Sequence, residues 1–235
     1  MRPIALALSA SITALIAFPA LADCDTVVYG SVQSAYVYQD IGVVATDRPV
    51  LQAGVSKVCG KFTYDLWTST ELSTDGPYGN RSYGDELDLT VNYDTEISDT
   101  PIGVVKVQVS AAYYIAADFG NVDDDFGQVY VDFGRPIQFG SATVTPYVRP
   151  MQWLGVETIQ DTTLVRAGVR FNIPLDQNWS VRGDASRTSD LTHGTGVFRG
   201  DVTATRDMGS WNLSLSAKFT EATQTVFGIG ASRVF

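Results

Sequence analysis

The tripeptide Arg-Gly-Asp occurs twice, at Arg182-Gly183-Asp184 and at Arg199-Gly200-Asp201. On an exposed loop it would be an adhesion motif. Inside a strand it becomes two charges on one face, with the glycine on the other. The single histidine, His193, follows Ser189 and Asp190. Hydrolysis needs an ordered nucleophile, base and orienting group, and these neighbours supply no such order, so the reading is a solvated loop histidine and not an enzyme. Asp123 and Asp125, with Asp118 nearby, offer calcium carboxylates at alternate positions. The stretch lacks the sixth-position glycine and the distal glutamate of a calcium loop, and its other reading is an acidic, solvated loop. No Cys/His set has zinc spacing and no glycine-rich phosphate loop opens a helix. No metal or cofactor is expected.

What these residues do depends on the elements that carry them. The chain opens with Arg2, an apolar run from Ile4 to Phe18, and Ala20-Leu21-Ala22, the small-x-small shape of a signal peptidase site. The run is too short to span a bilayer. Asp23 occupies the place before Cys24 where a lipoprotein carries a small residue. Residues 1–22 are therefore expected to be cleaved, leaving 23–235 as one domain. The formal net charge is −10, and loss of Arg2 makes it more negative still. An acidic exported chain lacks the basic patches that nucleic-acid binding requires. Only 18% of residues are charged, 11% are aromatic and 21 are glycine, a balance that suits short strands.

Alternation confirms strands. From Glu86 to Tyr93 every odd position is apolar and every even one polar, the period of a strand with unlike faces. The same pattern runs through 105–113, 165–173 and 211–219. Strands are expected at 26–38, 49–59, 61–70, 84–95, 102–116, 126–136, 141–152, 163–174, 178–187, 196–207, 210–220 and 223–235, about twelve in all, with 10 or 14 still open. Their connections mostly alternate between long (39–48, 71–83, 117–125, 188–195) and short (Gly60, Asp176-Gln177, Met208-Gly209). Short turns on one rim and long loops on the other describe an all-β, antiparallel transmembrane barrel with both termini in the periplasm.

The end of the chain carries the sharpest signal. Phe227, Ile229, Ala231 and Phe235 share one face of the last strand, which resembles the terminal-aromatic signature read by the barrel assembly machinery of Gram-negative outer membranes. Arg233 on that face must snorkel at the rim. Trp179 and Trp211 open strands where an interfacial aromatic girdle would lie. If the first strand turns back on the second around positions 41–42, antiparallel pairing sets Cys24 opposite Cys59, within disulfide reach. Within the barrel, both tripeptides put glycine toward lipid and charges toward the lumen. With the loop centred between Leu191 and Thr192, Arg182 faces Asp201 and Asp184 faces Arg199, a pair of complementary charges.

The inward set expected to line a pore comprises Asp65, Glu86, Asp88, Asp132, Asp184 and Asp201 against Lys106, Arg149, Arg166, Arg170, Arg182, Arg199 and Lys218. The acids lie mainly on early strands and the arginines on later ones, so opposite walls of the lumen carry opposite sign. Three stretches, Arg48-Pro49-Val50-Leu51-Gln52-Ala53-Gly54, Tyr64-Asp65-Leu66-Trp67-Thr68-Ser69 and Glu86-Leu87-Asp88-Leu89, resemble the TorF family of porins. That resemblance implies an outer-membrane channel and little more. The function expected is passive diffusion of small polar solutes, with outer-membrane lipid and lipopolysaccharide as surroundings. The alternative is a plugged barrel that acts through loops 39–48, 71–83 and 117–125.

Overall fold

A computed structural model describes residues 24–38, 43–72, 85–116, 125–155, 160–221 and 225–235. The leader 1–22, the calcium candidates Asp118 and Asp123, and much of the three long connections lie outside these residues. The described chain is all strand: β1 (Asp25–Gln33), β2 (Tyr36–Tyr38), β3 (Val43–Thr46), β4 (Val50–Cys59), β5 (Phe62–Glu71), β6 (Glu86–Ile97), β7 (Val105–Ala116), β8 (Phe126–Gly134), β9 (Ile137–Phe139), β10 (Ala142–Gly155), β11 (Thr162–Pro174), β12 (Trp179–Asp190), β13 (Thr195–Asp207), β14 (Trp211–Thr220) and β15 (Val226–Val234).

Every pairing is antiparallel, and β1 pairs with both β4 and β15 while β10 pairs with both β8 and β11. The sheet therefore closes into a ring, with only the short β9 paired on one side. Its staves number twelve, because β8 and β9 both lie along β10 as one interrupted strand, and β2 and β3 form a separate hairpin. The interruption falls at Arg135-Pro136, where proline has no N–H to give the ladder. An even stave number brings both ends of the chain to one rim. There the Phe235 amide donates to the Thr26 carbonyl at 2.8 Å and the Thr26 amide donates back at 3.2 Å.

The distribution of side chains inverts that of a soluble protein. Val55, Leu66, Val91, Val109, Val129, Val148, Val169, Val202, Leu215 and Ile229 are all exposed, on the outer face of the ring. Gln52, Ser69, Glu86, Gln128, Asp132, Arg166 and Asp184 are buried on the inner one. Apolar residues outside and polar residues inside are what a bilayer demands of a barrel. Trp179 and Trp211 stand on the outer face at the rim that carries the termini. The Arg233 guanidinium lies 5.4 Å from the Trp211 ring centre and 4.5 Å from that of Phe235, so aromatic faces shelter this outward charge.

The first hairpin pairs Asp25 with Val58, which brings Cys24 opposite Cys59. The two are joined in a disulfide with a Cα–Cα distance of 4.6 Å.

The β12–β13 hairpin departs from the sequence reading. Its turn is Leu191–Gly194 and not the longer 188–195, and the register moves by two residues. Arg182 faces Thr203, Asp184 faces Asp201, and Ser186 faces Arg199. The expected pairs Arg182–Asp201 and Asp184–Arg199 are therefore not formed directly across the ladder. The cause is local. Asp190 accepts hydrogen bonds from the amides of Thr192 and His193 at 2.8 and 2.9 Å, and Gly194 takes φ +71°, so the turn is more compact and centred one residue later than composition suggests. A shift of two keeps every side chain on its face. Both glycines of the tripeptides face outward, and each sits beneath an aromatic ring. A Cβ on Gly183 would come within 2.6 Å of the Phe171 ring, and one on Gly200 within 2.2 Å of the Phe219 ring. An adhesion role is excluded by this placement within the wall.

Candidate functional site

Neighbouring strands carry their charged residues in rows across the inner face. One row runs Thr145, Arg170, Asp184, Asp201, Lys218 over β10 to β14. The next row toward the terminal rim runs Thr143, Asn172, Arg182, Thr203, Ser216. Arg149 and Arg166 face each other toward the opposite rim, and Arg199 lies beside Thr220. Asp65, Glu86 and Asp88 occupy the inner face of β5 and β6. Lys106 lies low on β7, where it pairs with Glu96 in solvent, apart from the arginines.

The centre of the arginine wall is Asp132. Arg149 Nε donates to its Oδ2 at 2.7 Å, and Arg170 grips both oxygens from Nη1 and Nη2 at 2.9 and 2.5 Å. Two guanidinium groups on one carboxylate make a charge-assisted, partly bidentate clamp. Each guanidinium also lies on a tyrosine face, Arg149 at 4.1 Å from the Tyr130 centre and Arg170 at 3.6 Å from that of Tyr147. The aromatic planes replace part of the hydration these cations give up. Beyond the clamp the contacts lengthen. Arg170 Nε is 3.7 Å from Asp184, and Arg199 lies 3.9 Å from Asp184 and 3.7 Å from Asp201. Arg166, only 3% exposed, donates to Thr188 Oγ1 at 3.3 Å.

The other wall uses hydroxyls. Tyr29 donates to Asp65 at 2.8 and 3.0 Å, and Ser56 also donates to it. Tyr36, on the β2–β3 hairpin, donates to Glu86 at 2.5 Å and packs 5.8 Å from the Trp67 ring. Sequence reasoning missed these tyrosines. Tyr29 was legible from alternation, since Val28 and Val32 take the outer face; Tyr36 was not, because it belongs to the hairpin beyond the barrel wall. Phe126, Met151, Trp153 and Leu164 gather as a buried apolar cluster on the inner face of β8, β10 and β11.

Of the three residues weighed for hydrolysis, Asp190 and His193 meet and Ser189 stands on the other face of the wall. Ser189 faces outward, Asp190 inward, and the His193 ring sits 2.8 Å from Asp190 in the turn. Asp125, the one described calcium candidate, accepts from the Tyr113 hydroxyl at 3.2 Å. Among the described residues no group of three acidic, cysteine or histidine side chains could hold a metal ion.

No protein-family model matches the chain, and no curated protein matches it. Solved structures do. The KdgM porin is similar over 89% of this chain and 99% of its own, with 6% identity and a TM-score of 0.60. The NanC porin is similar over 89% and 98%, with 9% identity and a TM-score of 0.58. The translocator domain of the autotransporter NalP from Neisseria meningitidis is similar over 98% of both chains, with 15% identity and a TM-score of 0.51. These likenesses are of fold, and the fold is that of a twelve-stranded transmembrane barrel.

Proposed function

We propose that the chain is an outer-membrane channel through which small polar and charged solutes diffuse passively. The observation that carries this is the inner face itself, a network of guanidinium and carboxylate groups enclosed by an apolar exterior. Charges are costly to keep in a dry interior, so such a network suits a wet lumen. Acids on β5 and β6 across from arginines on β10 to β13 would impose a transverse field on passing solutes. The fold shared with KdgM and NanC porins and the TorF-like motifs support the same reading. On it, residues 1–22 are removed during export and both termini, the short turns and the Cys24–Cys59 bond face the periplasm. Phe235 is what the assembly machinery takes up, and lipopolysaccharide meets the long loops.

Two observations favour a second reading, a plugged barrel working through its loops. Tyr36 bonds to the inward-facing Glu86, and the apolar cluster of Phe126, Met151, Trp153 and Leu164 fills space on the far side. Single-channel recording from the refolded protein in planar bilayers separates the two. Stable steps whose cation-to-anion preference shifts with Arg182→Glu support the channel. A folded, heat-resistant barrel that never conducts supports the plugged form. A conductance that rises with Tyr36→Phe would assign the β2–β3 hairpin to narrowing an open lumen.

A further inference from the structure

Beside the arginine wall lies a cavity of about 450 Å³, lined in part by Thr143, Asn172, Arg182, Asp184 and Asp201. That volume suits a small molecule. Its two decisive groups are a cation and an anion, neither of which makes a hydrogen bond to a described side chain. Arg182 makes no hydrogen bond or ion pair with any described residue, so its five donors are open. Asp201 should be neutralised by Lys218 directly across the ladder. Lys218 instead donates to Gln33 at 3.2 Å. Among the described residues only Arg199 comes within ion-pair distance of Asp201, at 3.7 Å, beyond hydrogen-bond length and shared with Asp184, while Lys218 and Arg182 act on it from farther off.

The spacing of the two groups suggests what they hold. Arg182 faces Thr203 and Asp184 faces Asp201, so Arg182 and Asp201 are diagonal neighbours, about 7–8 Å apart at the backbone. From these two positions a guanidinium and a carboxylate extend into the same stretch of lumen, where a ligand with adjoining carboxylate and ammonium groups can meet both. A simple anion seated here would meet Asp184 and Asp201 as well as Arg182. A simple cation would meet Arg170 and Arg182. We infer that this cavity binds a small zwitterion of the α-amino-acid class, its carboxylate on Arg182 and its ammonium on Asp201. Asn172, opposite Arg182 in the ladder, offers a further donor to the carboxylate. The inference deepens the channel reading by naming a solute class, and it rests on that reading for its transport meaning only.

Binding is therefore measured apart from conduction, by saturation-transfer NMR on the folded barrel in detergent. Serine is compared with lactate, which keeps only the anion, and ethanolamine, which keeps only the cation. Serine is expected to bind about tenfold more tightly than either. Asp201→Asn should lower serine to the level of lactate while leaving lactate unweakened. Arg182→Gln should weaken both serine and lactate, and Asp201→Glu should restore much of the serine preference. Heat-modifiable migration on gels confirms that each variant is folded. Equal binding of serine and lactate, or serine binding untouched by Asp201→Asn, overturns the site. A barrel that conducts without this preference keeps the channel and loses the inference; one that binds serine and never conducts keeps the inference and loses the channel.

Discussion

On the later strands Asp132, Asp184 and Asp201 each lie within 4 Å of a guanidinium, whereas on the early strands Asp65 and Glu86 are held by hydroxyls of Tyr29, Ser56 and Tyr36. The two walls hold these carboxylates in different ways. A guanidinium cancels the charge and fixes the geometry by its planar fork. A hydroxyl gives a hydrogen bond and brings no opposite charge. Among the described residues Asp65 and Glu86 have no cation within ion-pair distance, whereas Asp132, Asp184 and Asp201 do, so the two walls of one barrel differ in how charge is placed as well as in composition.

The largest expected effect falls on the early wall, which has a covalent restraint the later wall lacks. Replacing Cys24 and Cys59 by serine opens a loop of sequence separation 35 and should cost about 4 kcal/mol, read from urea unfolding out of lipid vesicles. An unchanged midpoint would mean that the walls are held by comparable non-covalent forces. Asp132→Ala leaves Arg149 and Arg170 without their shared carboxylate. Allowing for their partial exposure, it should cost about 3 kcal/mol; a cost below that of Tyr29→Phe would contradict the clamp as the centre of the later wall.

Gly200→Ala places a methyl against the Phe219 ring and should destabilise by about 1–3 kcal/mol, and no change would show that the ring turns aside freely. Tyr29→Phe removes the hydroxyl from Asp65 at a cost of about 1–2 kcal/mol. Its cation-to-anion permeability ratio should stay level, because the substitution adds and removes no charged group; a fall in that ratio would mean the tyrosine does more than hold the carboxylate. Lys106→Ala, in an exposed pair with Glu96, should leave the unfolding midpoint where it was, and a clear loss would extend the clamped network to a third wall.

The strand set and the face of each residue were legible because alternation with period two survives on nearly every stave, and a bilayer enforces it strictly. Cys24 and Cys59 were legible for a related reason: the disulfide sits far from the uncertain loop, where the register of β1 and β4 depends only on where the hairpin turns. The β12–β13 register was not, since Asp190 and Gly194 close a turn through hydrogen bonds that composition does not reveal. The signal was present in Asp190-Leu191-Thr192-His193-Gly194, a carboxylate followed four residues later by a glycine. The hydroxyl partners of the early wall were hidden by a different limit. Alternation says which way a side chain points but not which residue on another strand it reaches, and Tyr29 meets Asp65 across the intervening β4.

The ring tips of Phe171 and Phe219 reach over Gly183 and Gly200 on the outside of the barrel. A position without a side chain would otherwise leave a dent in the hydrocarbon belt, deep enough to expose backbone amides to the annular lipid. The neighbouring rings roof both dents, so an acyl chain sliding past meets an even surface and has no groove in which to order. Here the sequence Arg-Gly-Asp is a smoothing device: the charged ends serve the water side, and the empty middle makes room for a phenyl plane on the oil side.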